Sequence, residues 1–276
     1  MEEVILDTLI DSIKMLPFLF IAFLLIELFE HKFSEKNKKR LVKSNKFGPV
    51  MGSVLGIIPQ CGFSVMATNL YATRIITLGT LIAVYLSTSD EMIPILLAEK
   101  APVTLLLKIV AIKLLIGMTF GIIIDLFIKK KPDEDYHICE DEHCNCDDEH
   151  FIKSAIKHTL SIFIFILLCT FVINLIMEYG GSNFLNKLLL KNNIFAPFLT
   201  SLIGLIPNCA ASVILTQVYL EKAITFAAFV SGLLTSAGVG LLVLFRTNTN
   251  KKENIQILLM VYLIGSIFGL ILELFI

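Results

Sequence analysis

The chain has 276 residues, of which 56% are hydrophobic and only 17% are charged, and its mean hydropathy is +0.81. Because about a quarter of the residues in soluble domains are charged, this composition excludes a soluble domain and indicates an integral membrane protein. The net charge of -1 predicts no nucleic-acid partner, and six cysteines in so long and apolar a chain exclude a small secreted disulfide scaffold.

Eight apolar segments follow one another along the chain. The first is long enough to cross a bilayer, and we expect it to be retained because no basic residues precede it as they would in a signal peptide. Only the connection between the fourth and fifth segments, residues 129–151, is long and polar. The segments comprise residues 4–29, 47–72, 75–98, 102–128, 152–177, 194–220, 223–245 and 255–276.

Basic residues cluster after the first, fourth and seventh segments, which predicts that these three connections are cytoplasmic. One of the three segments between the first two clusters must then fail to cross. Pro59 interrupts residues 47–72 and leaves about twelve residues on each side, or about 18 Å of helix against a hydrocarbon core of about 30 Å. We predict a re-entrant hairpin here and another at residues 194–220, broken at Pro207. The alternative is that both are ordinary spans kinked at proline.

An internal repeat appears when the sequence is shifted by 148 residues without a gap. The stretch GIIPQC at residues 56–61 then falls on GLIPNC at residues 204–209, and the same shift aligns two glycines and an acid near the end of each half. Aligned proline, cysteine, glycine and acid indicate duplication. Because each half has an odd number of spans, the halves would be inverted in the membrane.

The predicted fold is therefore an all-α integral membrane protein, an inverted repeat of two halves, each with three full spans plus a Pro-broken re-entrant helical hairpin. The predicted first repeat covers residues 1–128, the cytoplasmic loop residues 129–151 and the second repeat residues 152–276. Both termini are predicted to lie outside the cell.

Each hairpin tip carries polar residues at a helix break. The helix that begins after each proline directs free amide groups inward, which favours a thiolate or an anion. The predicted substrate ligands at the tips are Gln60, Cys61 and Ser64 in the first half and Asn208, Cys209 and Ser212 in the second. The alternative is that the cysteines are small packing residues and that the amides only satisfy broken backbone.

The third segment contains adjacent acids close to its middle. Pro94 cannot donate a hydrogen bond to the carbonyl group four residues earlier, so the helix is open where the acids lie, as in a cation site or a proton relay. The predicted substrate ligands here are Ser87, Thr88, Asp90 and Glu91. The alternative is that the acids only neutralise a lysine of the fourth segment, Lys108 or Lys113.

The loop at residues 129–151 concentrates cysteine, histidine and acidic side chains. Thiolate and imidazole groups at such spacings suit zinc and other soft or borderline ions, and the acids raise the local cation concentration. The predicted metal ligands are His137, Cys139, His143, Cys144, Cys146 and His150. We interpret the loop as a flexible metal-capture or sensing loop; the alternative is a solvated acidic linker.

The paired GxIP(Q/N)C motifs, the Ser-Thr-Ser-Asp-Glu segment and the His/Cys/acid loop together resemble the ten-helix heavy-metal exporters of bacteria and archaea, distant relatives of arsenical permeases. Some members of that group are labelled manganese transporters. The resemblance covers nearly the whole chain, and counting each hairpin as two short helices gives ten helices. It implies efflux of a metal or metalloid ion.

The leading hypothesis is a secondary transporter in the plasma membrane, because no stretch resembles a phosphate-cradling loop or an ATPase aspartate motif. We do not expect the protein to be an enzyme. It would require no cofactor, and its partners would be the bilayer and the exported ion, with manganese, zinc, cadmium and arsenical ions as candidates. Thiols favour the soft ions and carboxylates favour manganese, so the ion stays open. The alternatives are a membrane thiol oxidoreductase and a metal-sensing membrane protein.

Overall fold

The computed structural model describes residues 47–59, 62–89, 92–128 and 195–275, together with isolated helical positions between residues 10 and 24 and between residues 156 and 172. The four continuous stretches form ten helices and no strand, so this part of the chain is all-α, as the sequence predicts. In the first half the helices are α1 (Gly48–Gly56), α2 (Gly62–Ala72), α3 (Leu78–Ser87), α4 (Met92–Ala98) and α5 (Val103–Phe127). In the second half they are α6 (Ala196–Gly204), α7 (Cys209–Leu220), α8 (Phe226–Thr235), α9 (Gly240–Thr247) and α10 (Lys251–Phe275).

The helix boundaries repeat between the two halves. Each helix of the second half begins and ends 148 residues after its counterpart in the first, to within one residue. The local signals repeat as well, because α1 and α6 both have proline in the first turn. The hydroxyl of Thr77 accepts a hydrogen bond from the Thr80 amide at 3.2 Å to cap α3, and Thr225 caps α8 through the Ala228 amide at 3.1 Å. The repeat in the sequence thus has a counterpart in the helices.

Four candidate membrane spans lie in the described part of the chain, two of them continuous and two broken. The continuous spans are α5 and α10, each of 25 residues. The broken spans are Leu78–Ala98, which contains α3 and α4, and Phe226–Thr247, which contains α8 and α9. The helices α1, α2, α6 and α7 have 9 to 12 residues and are each too short to cross a bilayer of about 30 Å.

The two kinds of span differ in burial. In the most apolar 18-residue stretch of the α8–α9 span, 89% is buried, whereas only 28% of the corresponding stretch of α10 is buried. The exposed apolar residues of α10 recur every four positions along one face and include Ile255, Leu259, Leu263, Ile267 and Ile271. Because a stripe of this kind is stable only against an apolar medium, we assign it to lipid contact, with the broken spans inside the bundle.

Small residues allow three helices of each half to pack closely. A Cβ atom at Gly121 on α5 would lie 2.8 Å from the Cβ of Ala83 on α3 and 2.9 Å from the Cβ of Pro49 on α1. A Cβ atom at Gly269 on α10 would lie equally close, 2.9 Å, to the Cβ of Pro197 on α6. Close approach at small residues is how membrane helices gain dispersion contacts. Each half therefore contains the same three-helix unit.

Polar contacts tie the helix ends together. Within the halves, Thr77 donates a hydrogen bond to Asp125 at 2.6 Å and Thr225 donates one to Glu273 at 2.6 Å, so the start of α3 lies beside the end of α5 and the start of α8 beside the end of α10. Between the halves, the guanidinium of Arg74 binds both carboxylate oxygens of Glu253 at 3.0 and 3.1 Å. The turn before α3 therefore lies beside the start of α10.

Candidate functional site

Part of the predicted site lies in the described part of the chain. Ser64, Ser87, Thr88, Asn208, Cys209 and Ser212 are all buried, with at most 4% of each residue exposed. The other predicted residues lie outside the described residues: Gln60, Cys61, Asp90, Glu91, His137, Cys139, His143, Cys144, Cys146 and His150.

Within each half, the break at the hairpin tip lies beside the break in the interrupted span. The end of α1 packs on the end of α3 so closely that a Cβ atom at Gly56 would overlap the hydroxyl of Ser87. The same contact recurs in the second half, where a Cβ atom at Gly204 would overlap the hydroxyl of Thr235. These positions require glycine because no side chain fits, and the fit brings the two breaks of each half together.

Between the halves, the start of α2 meets the start of α9. A Cβ atom at Gly240 would lie 2.9 Å from the Ser64 hydroxyl oxygen. The carbonyl oxygen of Gly240 accepts hydrogen bonds from the hydroxyls of Thr68 and Tyr85, each at 3.2 Å, and those two hydroxyls are 2.6 Å apart. The break between α8 and α9 is therefore held against the first hairpin by buried polar contacts.

The second hairpin reaches the same region through Asn208 and Cys209. Asn208 caps α7, and its side-chain oxygen accepts a hydrogen bond from the Ala210 amide at 3.3 Å. Cys209 is the first residue of α7 and belongs to one buried cluster with Val65 of α2 and Val239 of the α8–α9 break. The start of α7, the start of α2 and the α8–α9 break thus converge.

Three of the predicted hydroxyl ligands donate hydrogen bonds to backbone carbonyls of the helix beside them. Ser87 donates to the carbonyl of Ala83 at 2.8 Å and Thr88 donates to that of Val84 at 2.7 Å. Ser212 donates to the carbonyl of Cys209 at 2.8 Å. A hydroxyl that has donated its proton keeps its lone pairs, so these oxygens remain available as acceptors toward a cation.

Two buried polar side chains near these breaks were not among the predicted ligands. Asn69 of α2 is 2% exposed, and both polar atoms of its amide have no hydrogen-bond partner in the described part of the chain. Ser236, which follows α8, is also 2% exposed and its hydroxyl has no such partner. The sequence gives one signal for Asn69, because it carries the only side-chain amide in α2. Buried polar groups without partners mark candidate ligand positions.

The two lysines of the fourth segment lie in different environments. The ammonium of Lys108 lies 4.6 Å from the centre of the Phe226 ring, at an exposed position. Lys113 is fully buried and donates a hydrogen bond to the carbonyl oxygen of Leu233 at 2.5 Å. Whether either lysine pairs with Asp90 or Glu91 stays a prediction, since both acids lie outside the described residues.

No group of three or more His, Cys, Asp and Glu side chains comes together among the described residues. The six predicted ligands of the loop belong to the part of the chain outside them. Among the described residues, the side-chain and backbone groups at the converging breaks are hydroxyls, carbonyls, amides and the thiol of Cys209.

Converging helix breaks inside a bundle of apolar spans are the architecture of membrane transporters built from repeats. The family described as "Putative, 10TM heavy-metal exporter" matches the chain over residues 1–184 and 127–248, which together extend from residue 1 to residue 248. The chain belongs to this family. No curated protein and no solved structure matches it.

Membership of the exporter family confirms the resemblance seen in the sequence. It supports a multi-pass membrane protein, and the family's description is that of a heavy-metal exporter, which is a class of transporters and not of enzymes. The candidate spans of the structure agree with that class. The four helix breaks are consequently the first place to look for an ion-binding site.

Proposed function

We propose that the protein is a secondary transporter that exports a heavy-metal or metalloid ion through a site where the hairpin tips and the two broken spans converge. The observation that carries the proposal is the meeting of Ser64, Gly240 and Cys209 at breaks from both halves. Broken backbone at such a depth is tolerated only where it lines a cavity or is buried in protein. Polar backbone groups and side chains there would replace the water molecules of the ion's hydration shell.

An inverted arrangement of the two halves would support transport by alternating access. Contacts at the helix ends favour this inverted arrangement. Arg74 in the turn before α3 pairs with Glu253 at the start of α10, whereas Thr225 at the start of α8 donates a hydrogen bond to Glu273 at the end of α10. Because α10 has 25 residues and is about 37 Å long, α3 and α8 would begin on opposite sides of the membrane. The repeat axis would then lie in the membrane plane.

The short helices support re-entrant hairpins. In α1 and α2 the chain has 9 and 11 helical residues on the two sides of Pro59, and in α6 and α7 it has 9 and 12 around Pro207. With the basic connections in the cytoplasm, the first hairpin would enter from the inside and the second from the outside, and both termini would be external. Residues 1–128 and 152–276 would be the two repeats.

The substrate ligands would fall into two groups, thiols that prefer soft ions and carboxylates that prefer hard ions. Cys61 and Cys209, each following a proline break, would bind zinc, cadmium or arsenite, whereas Asp90 and Glu91 would bind manganese or carry a coupling proton. The loop at residues 129–151 would capture metal at the cytoplasmic face without forming the pathway. These assignments follow from ligand chemistry and from the family's export activity.

The direct test is flux in sealed proteoliposomes that contain the purified protein. Manganese, zinc, cadmium and arsenite are offered one at a time, with a pH gradient, with a membrane potential and with neither. We expect uptake of at least one of them into vesicles whose proteins are oriented to pump inward, driven by one of the two gradients. Absence of flux for all four ions in folded protein would refute the proposal.

A further inference from the structure

Asn69 carries a buried amide whose side-chain atoms have no hydrogen-bond partner in the described part of the chain. The residue is 2% exposed, and both Oδ1 and Nδ2 lack such a partner. Its backbone is satisfied, since its carbonyl oxygen accepts hydrogen bonds from the amide and the hydroxyl of Thr73, each at 3.0 Å. The hydroxyl of the preceding residue, Thr68, is also engaged, 2.6 Å from that of Tyr85. The side chain of Asn69 thus keeps unused donors and an unused acceptor among the described residues.

Helical spacing places Asn69 on the side of α2 that faces the converging breaks. Asn69 lies one turn, about 6 Å, after Val65 on the same face of the helix. Val65 belongs to the buried cluster that also contains Cys209 of α7 and Val243 of α9. The amide therefore lies one turn away from the place where the second hairpin meets the first.

The part of α2 that carries Asn69 extends from the breaks toward one end of the bundle. The starts of α2 and α9 meet at Ser64 and Gly240. Near the other end of α2, Tyr71 donates a hydrogen bond to Glu253, which lies at the start of α10 just after α9 ends. The two helices thus run side by side in the same direction. Asn69 lies between the breaks and the contact of the halves at Glu253.

A packing role does not account for an amide at this position. Leucine has nearly the same shape as asparagine and no polar atoms, whereas a buried amide without partners loses the hydrogen bonds that water gave it in the unfolded chain. The equivalent residue in the second half is Gln217, which is exposed. A buried amide of this kind is typical of a place that binds a ligand or an ordered water. The position of Asn69 beside the converging breaks favours the ligand.

The amide group also restricts the chemical form of that ligand. Oδ1 accepts hydrogen bonds and Nδ2 donates them, and a bare metal ion can engage Oδ1 alone. A water molecule or hydroxyl group bound to an ion both donates and accepts, so it can satisfy both atoms. We propose that Asn69 binds the exported ion through a water or hydroxyl group that the ion carries. The inference rests on the proposed function and covers two forms of substrate, an aqua cation and a neutral hydroxide such as arsenous acid.

Ion binding to purified protein tests the site without any measurement of transport. The unfolding temperatures of the wild type, Asn69→Leu and Gln217→Leu are followed in titrations with MnCl₂, ZnCl₂ and sodium arsenite. Leucine removes the buried amide, so Asn69→Leu without ions should be at least as stable as the wild type. We expect at least one ion to stabilise the wild type, and Asn69→Leu to require about tenfold more of that ion because two hydrogen bonds are lost. Gln217→Leu, the matched control, should respond as the wild type does.

The ion whose binding weakens in Asn69→Leu identifies the source of the water or hydroxyl group, and Asn69→Asp provides a second test of that assignment. Aspartate keeps the shape, replaces the donor with an acceptor and adds a negative charge. Manganese or zinc should bind Asn69→Asp more tightly than the wild type if the ligand is an aqua cation. Arsenous acid has no charge and should gain nothing.

Two results of the titrations would overturn the proposal. One is equal affinity of the wild type and Asn69→Leu for every ion that binds, which would leave the amide with a structural water only; the other is binding of none of the three ions by the wild type. Flux in proteoliposomes separates this failure from that of the proposed function. If the wild type exports an ion and Asn69→Leu exports it with the same KM, the site is wrong and the function stands. If the wild type moves no ion but binds one through Asn69, the function is wrong and the site stands.

Discussion

Replacement of Arg74 by alanine removes the ion pair that joins the two halves near the ends of their helices. The carboxylate of Glu253 is 4% exposed and accepts both guanidinium hydrogen bonds, at 3.0 and 3.1 Å, as well as one from the hydroxyl of Tyr71. Loss of one partner of a buried ion pair costs about 3–5 kcal/mol because the other charge stays buried. Tyr71 still contacts the carboxylate, so we expect the lower end of that range, about 3 kcal/mol.

Lys222 provides a matched control for this substitution. It lies 148 residues after Arg74, in the equivalent turn, and both residues have φ of 59°. Alanine therefore meets the same backbone strain at both positions. The positions differ in their surroundings: Lys222 is exposed, and Leu105 stands in the first half at the position equivalent to Glu253. Lys222→Ala should cost no more than about 0.5 kcal/mol.

Thermal unfolding in detergent, followed by circular dichroism at 222 nm, measures the difference, since the chain has no tryptophan to report by fluorescence. A loss of about 3 kcal/mol corresponds to a decrease of roughly 6–12 °C in Tm for a chain of this size. Glu253→Gln in the Arg74→Ala background should recover part of the loss because it removes the charge that Arg74 balanced. Equal decreases for Arg74→Ala and Lys222→Ala would refute the assignment of the stabilisation to the ion pair.

Three further predictions concern the repeat and the loop. Thr77→Val and Thr225→Val each remove a helix cap and a hydrogen bond to an acid. Each should therefore lower the free energy of unfolding by about 1–2 kcal/mol in the same unfolding assay. Clearly unequal losses would argue against equivalent caps. Cys139, as the single cysteine of an otherwise cysteine-free variant, should react with membrane-impermeant maleimide only from the cytoplasmic side, and labelling of intact cells from outside would contradict the proposed topology. A peptide of residues 136–150 should bind zinc and release protons, as calorimetry in buffers of different ionisation enthalpy can measure, whereas a peptide with serine at its three cysteines should bind much less.

Local chemistry explains which parts of the fold the sequence could predict. Pro59 and Pro207 interrupt the second and sixth apolar segments, and in the structure the helices on either side of each proline are separate. Pro94 predicts an open helix just before it, and α3 indeed ends at Ser87 while α4 begins at Met92. Proline acts within one turn of its own position, so its effect can be read from a few residues.

Other features depend on residues far apart in the chain. The break between α8 and α9 contains no proline; Gly238 there has φ of 58°, and the seventh segment reads as continuous in the sequence. The contact of Tyr85 with Gly240 joins residues 155 positions apart, and that of Lys113 with Leu233 joins residues 120 apart. Such contacts follow from how the halves pack, which no local pattern encodes. Burial of Cys209 and Ser212 agrees with a ligand role and with a packing role alike, so both interpretations of the tips remain predictions.

Substitution at the predicted site, with ion selectivity as the readout, tests the central claim most directly. Flux of zinc, arsenite and manganese is measured for Cys61→Ser and Cys209→Ser, and for Asp90→Asn and Glu91→Gln. Cys169→Ser supplies the control, because it makes the same replacement at a cysteine outside the hairpin tips.

Serine keeps the size of cysteine but removes the soft ligand. We therefore predict that the cysteine variants at the tips lose zinc or arsenite flux by about tenfold or more, one soft ligand being worth at least about 1.4 kcal/mol, while manganese flux changes little. The two acid variants should lose manganese flux or gradient coupling instead, and Cys169→Ser should behave as wild type. Wild-type flux and selectivity in all four site variants, at normal expression, would show that the ion does not pass through the converging helix breaks.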